Sequence, residues 1–263
     1  MSLVSIITAT YNSEKFIEQT INSVINQTYQ NWELLITDDC SKDNTLKLLD
    51  KYSKSDSRIK VFQLSKNSGA AVARNNSIKH SNGSYIAFLD SDDLWIPDKL
   101  EKQIKFMTKE DLAFSYSYYQ LINENGESLK KIIKAPDSVN YTTLLRTNYI
   151  GCLTAVYNCR KMGKMYMPNI RKRQDYALWL GILKSTPHAK CLKEPLAFYR
   201  IRKHSISSNK LELLKFNWKI YREVEGFGPI RSFMRLVIFL FYFAHKKMVY
   251  GMEGSAHDEN IDV

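Results

Sequence analysis

Short apolar segments alternate with amphipathic segments over the first third of the chain. The apolar segments predict strands at residues 3–8, 32–37, 59–64 and 85–89. Helical spacing predicts a helix over 17–25 with its N-cap at Ser13, a second beginning at Asn44 or Thr45, and a third at 70–80. Strands and helices that alternate through connections this short imply parallel strands and right-handed crossovers. The pattern therefore predicts an α/β fold with a mostly parallel central sheet and flanking helices.

The regular alternation fades in the second half of the chain. The pattern there predicts a helix after Asp98, a strand at 112–121, a hairpin turn at 123–127, a strand at 150–157 and a helix beginning at Gln174. Two further helices are predicted at 211–225 and 230–249. We place a domain boundary near Ser208. A catalytic domain then spans residues 1–208, and a basic, apolar helical extension spans 209–263.

Polar clusters follow three of the predicted parallel strands. Tyr11 follows the first strand, Asp38-Asp39 end the second, and Asp90-Ser91-Asp92-Asp93 follow the fourth. Ligands of such sheets bind outside the carboxyl ends of the strands, so one edge should collect all three clusters. Crowded carboxylates repel one another, and hard Mg²⁺ or Mn²⁺ is a common remedy because it prefers oxygen ligands. The sequence thus suggests a metal–diphosphate site.

Composition and charge narrow the choice of partners and compartment. The net charge of +11 favours anionic partners, which include nucleotide diphosphates, nucleic acid and anionic membrane surfaces. The four cysteines form no CxxC pair, and the histidine spacing fits no zinc pattern. The N-terminus lacks a basic region and a cleavage site, so we expect a cytoplasmic protein. The longest apolar run, at 236–244, is far shorter than the roughly 20 residues that span a bilayer.

Five motifs occur in a recognisable order. They are the segment 4–12, the turn Asp38-Asp39-Cys40-Ser41, the segment 67–75, Asp90-Ser91-Asp92-Asp93, and Gln174-Asp175. Together they closely resemble the family 2 inverting glycosyltransferases with the Rossmann-like GT-A fold, over roughly residues 3–205. The resemblance implies transfer of a sugar from a nucleotide diphosphate sugar, usually a UDP-sugar, with inversion at the anomeric carbon. It also implies Mn²⁺ or Mg²⁺ as the cofactor.

The resemblance assigns the acidic cluster to the leaving group. Asp92 would ligate the metal that bridges the two phosphates, and Asp90 would help through the ribose or a metal-bound water. Asp93 is either an alternative metal ligand or a helix N-cap for the turn at Leu94-Trp95.

The resemblance also implies a set of nucleotide-binding residues. The ring of Tyr11 would stack on uracil, and the carboxylate of Asp39 would accept the N3–H of the base. Asp38 and Thr8 are candidates for the ribose and the base, although the two aspartates also suit a turn that caps the next helix. Arg74 would reach the base or the diphosphate, with a solvated helix-face arginine as the alternative.

Asp175 is the predicted catalytic base, because an inverting transfer needs one carboxylate to take the proton of the acceptor hydroxyl. The family usually has Glu-Asp here, and this chain departs from it at Gln174. Asp175 also suits a helix N-cap. Glu101 is a minor candidate that would face the acceptor, with a solvated helix residue as the alternative.

Some candidates stay open between two interpretations. His204, in the segment that resembles the family's final loop near the diphosphate, is either a metal or phosphate contact or a structural histidine. Trp95 and Trp179 either stack on sugars or belong to the core.

The last helix is too apolar for an ordinary surface helix. It is expected either to pack as core, on the catalytic domain or in a homodimer, or to lie in the membrane interface. Its basic flanks, Arg231, Arg235, Lys246 and Lys247, favour the interface because they could meet anionic headgroups.

These features lead to one preferred function. The chain is expected to move a hexose, glucose or galactose first, from a UDP-sugar to a polyprenyl-diphosphate-linked sugar, with GlcNAc as the first choice. Such an enzyme would assemble O-antigen or capsule repeats as a peripheral protein on the inner face of the cell membrane, without nucleic acid as a partner. The alternatives are a non-catalytic protein that binds anionic surfaces, and a nucleotidyltransferase, which would normally show a basic Gly-rich loop near the N-terminus.

Overall fold

The structure is a computed structural model that describes residues 1–202 and 210–250. Its strands are β1 Val4–Thr10, β2 Trp32–Asp38, β3 Ile59–Gln63, β4 Tyr85–Phe88, β5 Leu94–Trp95, β6 Phe114–Ile122, β7 Ser128–Ile133, β8 Ser138–Val139, β9 Val156–Asn158 and β10 Ala189–Arg200. Its α-helices are α1 Ile17–Ile25, α2 Thr45–Ser55, α3 Ala70–His80, α4 Lys99–Lys109, α5 Tyr141–Leu144, α6 Cys159–Met162, α7 Gln174–Ser185, α8 Lys210–Lys219 and α9 Pro229–Tyr250. A 3₁₀ helix covers Cys152–Thr154, and a π-helix covers Ile220–Val224.

One sheet runs through the molecule in the order β3-β2-β1-β4-β9-β6-β10-β5. The pairs formed by β1, β2, β3 and β4 are parallel. Strand β9 is antiparallel to both of its neighbours, so β6 and its parallel partner β10 point the same way as the first four strands. The predicted α/β class with a mostly parallel sheet is therefore confirmed, and the carboxyl ends of six strands, β1, β2, β3, β4, β6 and β10, lie along one edge.

Two hydrophobic clusters cover the two faces of the sheet. Adjacent residues of β1 point to opposite faces of the sheet. Ile6 belongs to the cluster that contains α1, and Ile7 belongs to the cluster that contains α7. Trp179 is fully buried in an edge-to-face contact with Phe88, and Trp95 is buried with its indole N–H donated to the carbonyl of Leu153 at 2.8 Å. Both tryptophans are therefore core residues, and the sugar-stacking interpretation is wrong for them.

Most of the predicted elements are confirmed, and the exceptions have local causes. Helices α1 and α3 have the predicted bounds, but the N-cap of α1 is Phe16 and not Ser13. The carbonyl of Ser13 instead accepts hydrogen bonds from the backbone of Phe16 and Ile17, so Ser13 belongs to the preceding turn. The predicted strand at 150–157 is mostly wrong, because a 3₁₀ turn replaces it up to Thr154 and only its end joins the sheet.

The C-terminal helices pack against the rest of the chain. The side chains of Ile220, Tyr221 and Phe227 are buried in the same cluster as α7. On α9, Ser232 and Phe239 are buried, whereas the opposite side of the helix carries exposed apolar side chains. No described helix is long and apolar enough to cross a bilayer. The predicted boundary near Ser208 lies outside the described residues and stays a prediction.

A fully buried lysine lies on α4. The ammonium of Lys99 donates to Oε1 of Gln103 at 2.7 Å and lies 4.2 Å from the centre of the Trp95 ring, and it has no carboxylate partner among the described residues. Burial lowers its pKa to about 7. Between that value and the ordinary lysine pKa, the unfolded chain holds a proton that the folded chain has released. Stability contributed by this group therefore rises with pH across that window.

The variant Lys99→Met tests this buried charge. The wild type should gain stability between about pH 7.5 and about pH 9.5 through Lys99, and the variant should not. The free energy of unfolding of the wild type minus that of the variant should therefore increase by about 3 kcal/mol over this range. Urea unfolding at the two pH values measures the difference. Lys105→Met, an exposed position on the same helix, is the control and should show no such change. Parallel pH dependence of Lys99→Met and the wild type would contradict the prediction.

Candidate functional site

The predicted polar clusters meet at the carboxyl edge of the sheet. The hydroxyls of Ser13, after β1, and Ser91, after β4, are 2.8 Å apart. The backbone N–H of Asp39 donates to the carbonyl of Thr10 at 2.8 Å, which joins the ends of β2 and β1. The sheet topology thus brings together segments that are far apart in the sequence, as the strand pattern predicted.

The turn after β1 presents an aromatic ring to solvent. Asn12 has a left-handed backbone with φ +50°, and its side-chain oxygen accepts the backbone N–H of Lys42 at 2.8 Å. Its own N–H donates to the hydroxyl of Ser41 at 2.9 Å. These bonds fix the turn, and Tyr11 beside it is 46% exposed. The ring of Tyr11 is therefore free to stack on a planar ligand.

The two aspartates at the end of β2 hold different loops. Asp38 is fully buried, and its carboxylate accepts hydrogen bonds from the backbone and hydroxyl of Ser41. Asp39 accepts the backbone N–H groups of Ser68 at 2.7 Å and Gly69 at 2.8 Å, one on each oxygen. Asp39 therefore fixes the loop that leads into α3, and each oxygen keeps a second lone pair for another donor.

Thr8 lies inside β1 and is fully buried. Its hydroxyl has no hydrogen-bond partner in the structure. An unpartnered buried hydroxyl is unusual in a native protein, and Thr8 stays a candidate on that ground.

Arg74 connects the helix α3 with the acidic cluster. Its guanidinium forms an ion pair with Asp90 and is almost fully buried. Burial opposes the charge, but the carboxylate of Asp90 raises the pKa of Arg74, so this arginine stays cationic. The solvated helix-face interpretation of Arg74 is therefore wrong.

Asp92 and Asp93 differ in their surroundings. The carboxylate of Asp92 is partly exposed and pairs with Nε of Arg202 at 2.8 Å. Asp93 is buried, one of its oxygens accepts the backbone N–H of Arg200 at 2.9 Å, and the other has no partner. Strand β5 follows Asp93, so the prediction that Asp93 is a helix N-cap is wrong. Burial raises the pKa of both carboxyls, most strongly that of Asp93, which also feels Asp92 and Asp90.

Arg200 joins the carboxyl end of β10 to its neighbours. Its guanidinium donates to the backbone carbonyl of Asp92 at 2.8 Å, to that of Glu124 at 2.8 Å and to the side chain of Gln19 at 2.7 Å. Arg202 has far fewer contacts, since its ion pair with Asp92 is supplemented only by the Phe16 ring, 5.8 Å away, among the described residues. Arg200 is thus a fixed structural cation, whereas Arg202 has only these two contacts within the described part of the chain.

Asp175 lies in the first turn of α7 and faces the same cluster. Burial raises its pKa above the usual range of an aspartate. The cations of Arg74 and Arg173 act in the opposite direction, and the nearby charge of Asp90 adds to the increase. The residue at the N-cap position is Arg173, so the interpretation of Asp175 as the helix N-cap is wrong. The thiol of Cys152 lies close enough for its own pKa to feel Asp90 and Asp175.

The remaining candidates receive less support. Glu101 lies on the exposed side of α4, where its carboxylate accepts the hydroxyl of Thr28 at 2.7 Å. This contact is that of a surface helix residue and does not favour a catalytic role. His204 lies outside the described residues.

Sequence reasoning missed Arg173, Arg202 and Cys152, and it missed β10 as a strand. Pro195 and the charged pair before it interrupt the alternation of β10, and the register with β6 shifts on either side of Pro195. Arg202 follows directly from that strand. If β10 had been predicted as a strand that ends at the carboxyl edge of the sheet, Arg202 could have been placed near the site.

The acidic cluster fits a metal ion that is held partly by the protein and partly by the phosphates of a bound substrate. Within the described residues, no group of three His, Cys, Asp or Glu side chains could hold a metal ion. Mg²⁺ and similar cations are, however, commonly bound by one or two carboxylates together with substrate phosphates. Asp92, which is partly exposed and pairs among the described residues only with Arg202, and Asp93, with one unpartnered oxygen, offer that donor set.

Comparisons with known proteins identify the family of this chain. The family model described as glycosyl transferase family 2 matches residues 5–165. A Bacillus subtilis protein named putative teichuronic acid biosynthesis glycosyltransferase TuaG is 48% identical, over 85% of this chain and 88% of its own. An Escherichia coli protein named UDP-Glc:alpha-D-GlcNAc-diphosphoundecaprenol beta-1,3-glucosyltransferase WfgD is 44% identical, over 83% of this chain and 85% of its own.

A solved structure shows a similar fold. It is that of S. aureus TarS 1-349 in complex with UDP-GlcNAc, which superposes with a TM-score of 0.70 over 95% of this chain and 74% of the TarS chain, at 21% identity. The likeness supports the predicted GT-A architecture, since at this identity it concerns the fold alone.

Proposed function

The chain belongs to glycosyl transferase family 2, and from this premise we propose that it moves a hexose from a UDP-sugar to a polyprenyl-diphosphate-linked sugar with inversion at the anomeric carbon. The observation that carries the proposal is the position of Asp175, a partly buried carboxylate within the charge field of Arg74 and Asp90. A base and a leaving-group site would thus lie side by side, as an inverting displacement requires.

The donor nucleotide would lie along the ends of β1 and β2. Tyr11 would stack on the uracil ring, and Asp39 would accept its N3–H through a free lone pair, which selects uridine over cytidine. Asp38 and Thr8 would line the base and ribose. Asp90 would contact the ribose or a metal-bound water, and Arg74, held by it, would reach the diphosphate.

Mn²⁺ or Mg²⁺ would be held by Asp92, with Asp93 as the alternative ligand. When bound, the cation supplies positive charge to the diphosphate as it leaves. The ion pair between Asp92 and Arg202 keeps a cation at this carboxylate in the ligand-free protein.

Asp175 would take the proton of the acceptor hydroxyl while that hydroxyl attacks the anomeric carbon from the face opposite the diphosphate. The new bond joins the acceptor oxygen to the anomeric carbon, the bond to the diphosphate breaks, and UDP leaves with the electron pair. Inversion of an α-linked donor gives a β linkage.

Two relatives of the chain guide the choice of substrates. The name of WfgD specifies UDP-Glc and a GlcNAc-diphosphate lipid, so glucose and GlcNAc are our first choices, with galactose as the alternative sugar. The name of TuaG specifies teichuronic acid, which also places a relative in polysaccharide assembly. Both relatives are glycosyltransferases, which supports glycosyl transfer over surface binding without catalysis and over nucleotidyl transfer.

A panel of donors tests the proposed reaction. The purified protein is incubated with Mn²⁺, a GlcNAc-diphosphate lipid and, in turn, UDP-glucose, UDP-galactose, UDP-GlcNAc and GDP-mannose, and the lipid products are separated. We expect transfer from UDP-glucose or UDP-galactose and a β-linked product. Absence of both transfer and donor hydrolysis with every nucleotide sugar would overturn the proposal.

Helix α9 offers a surface for the lipid-linked acceptor. Its outer side carries a stripe of exposed apolar residues, namely Ile230, Phe233, Met234, Val237, Leu240, Phe241 and Met248. The sequence of the helix includes Arg231, Arg235, Lys246 and Lys247 and no acidic residue. An apolar stripe with only positive charge complements an anionic bilayer surface. We therefore propose peripheral binding at the inner face of the cell membrane, with a homodimer through the same stripe as the alternative.

The double variant Val237→Glu/Phe241→Glu tests membrane binding. Its partition onto vesicles that contain phosphatidylglycerol should fall by about 100-fold, because two apolar anchors are lost and two repelled charges are added. Vesicle flotation measures this, with Tyr166→Glu, an exposed aromatic position away from α9, as the control. Unchanged flotation together with conversion of a dimer to a monomer would support the homodimer instead.

A further inference from the structure

Arg173 begins the helix that carries Asp175, and it does so in an unusual backbone conformation. Its φ of +61° and ψ of +22° lie in the left-handed region, which non-glycine residues rarely adopt. Its carbonyl accepts the backbone N–H of Ala177 at 3.1 Å, so it starts the α7 hydrogen-bond ladder. Such a conformation costs of order 1 kcal/mol and persists where the surroundings over-determine it.

The guanidinium of Arg173 is enclosed by aromatic rings. It lies 4.7 Å from the centre of the Tyr176 ring and 5.5 Å from that of the Phe239 ring. Its Nε and one terminal nitrogen, Nη2, are buried without a hydrogen-bond partner. Among the described residues it has no salt bridge, and Asp175 is the carboxylate whose field it feels. This cation is therefore held mainly by ring faces beside the candidate base.

Phe239 differs from the other phenylalanines around it on α9. It is 1% exposed, whereas Phe233 and Phe241 belong to the exposed stripe. A second contact of the same kind also joins α9 to the body of the protein. Arg146 lies 5.1 Å from the centre of the Tyr242 ring and donates to its hydroxyl at 3.1 Å. Of these two contacts, only that of Phe239 involves an arginine whose charge acts on Asp175.

We propose that Arg173 is a positioning residue for Asp175, and that Phe239 of α9 holds its guanidinium in place. Helix α9 then helps to position the catalytic base, in addition to its proposed binding to the membrane. This inference rests on the proposed role of Asp175 as the base. The groups that face Asp175 are Arg173 on its own helix, Arg74 on α3, Asp90 after β4 and the Cys152 thiol on the 3₁₀ turn.

Loss of the Phe239 ring should change both the rate and its pH dependence. The guanidinium would lose one of its two ring faces and gain access to water, so that its charge would stabilise the Asp175 carboxylate less. Since Arg173 lowers the pKa of Asp175, weakening it should raise that pKa. The rate of transfer should then decline at a higher pH when the solution is acidified.

The variants Phe239→Leu and Tyr242→Leu form a matched pair. Each removes one ring that contacts an arginine and joins α9 to the body. Transfer is measured against pH with the full-length protein, UDP-glucose and a GlcNAc-diphosphate that carries a short alkyl chain, so that vesicle binding does not enter the rate. For Phe239→Leu we expect kcat to fall about tenfold and its acid limb to move up by about half a pH unit, with the KM for the donor unchanged. Tyr242→Leu should leave the acid limb unchanged, and Phe239→Tyr, which keeps the ring, should restore the wild-type profile.

Arg173→Gln keeps the test valid if Phe239→Leu does not fold. It retains the Phe239 ring and removes the guanidinium with its charge, so it should reproduce the shifted acid limb. A wild-type acid limb in Arg173→Gln would overturn the proposal, as would equal profiles for Phe239→Leu and Tyr242→Leu. In either case, loss of activity in Asp175→Asn would still support Asp175 as the base. Normal activity in Asp175→Asn would overturn both the assignment of the base and this inference.

Discussion

Replacing the Asp175 carboxylate with an amide is expected to slow sugar transfer by about 10²–10⁴-fold and to leave UDP binding intact. Asparagine has nearly the same shape as aspartate, so α7 should keep its start while the chain loses the group that takes the acceptor proton. The variant Asp175→Asn should therefore show a reduced kcat in assays with UDP-glucose and a GlcNAc-diphosphate lipid. Calorimetric titration with UDP and Mn²⁺ should give a wild-type affinity.

The pH dependence of the wild type provides a second measurement for the same residue. A general base acts only in its deprotonated form. Burial raises the pKa of Asp175, so kcat should begin to fall at a pH above the ordinary range of an aspartate as the solution is acidified. This acid limb should be absent from the residual activity of Asp175→Asn.

Asp98→Asn is a suitable control for Asp175→Asn. Asp98 also lies at the start of a helix, but there it forms an exposed pair with Lys102 at 2.9 Å. Its substitution should leave kcat unchanged. If Asp175→Asn transfers sugar normally, the base lies elsewhere, and if it loses UDP binding instead, the role of Asp175 is in donor binding.

Replacing Asp92 with asparagine is expected to abolish most metal-dependent activity, with a loss in kcat of about 10²–10³-fold. The carboxylate of Asp92 is partly exposed at the carboxyl edge of the sheet, and its ion-pair partner Arg202 has few other contacts. An amide cannot supply the negative charge that attracts a divalent cation. Calorimetry with Mn²⁺ in the presence of UDP should show the loss of affinity directly.

Asp93→Asn separates the two candidate ligands. Asp93 is buried and accepts the backbone N–H of Arg200, so its substitution should mainly lower the thermal stability. Retention of Mn²⁺ binding by Asp92→Asn with its loss in Asp93→Asn would assign the metal to Asp93. Transfer by the wild type in the presence of a chelator would show that the reaction needs no metal.

The first half of the fold and its edge of polar residues follow from the sequence because they depend on local rules. Continuous apolar runs mark β1, β2 and β4 as strands buried on both faces, and short crossovers fix their direction. The positions of Tyr11, Asp39 and Asp92 at one edge then follow from topology alone. No contact between distant residues had to be known in advance.

The contacts of Arg200, Arg202 and Arg173 do not follow from the sequence pattern, for a different reason. Arg200 and Arg202 reach the site because β10 lies beside β6 with a register that shifts around Pro195, and that pairing is a property of the tertiary structure. Arg173 contacts Phe239 only because the tertiary structure brings α9 to the start of α7. Likewise, nothing in the pattern of 150–157 distinguishes a short strand from the 3₁₀ turn that brings Cys152 toward Asp90.

The acidic cluster at the end of β4 carries its own counter-ions. Asp90 pairs with Arg74, Asp92 pairs with Arg202, and Asp93 is bonded to the backbone of Arg200. Two of the three carboxylates are thus paired with cations of the same chain, and the third accepts a backbone hydrogen bond. A newly synthesised molecule can complete this edge of the sheet before it encounters any dissolved ion. Folding of the protein and binding of the proposed metal would then be separate events, so that this edge of the sheet could form where the ion is scarce.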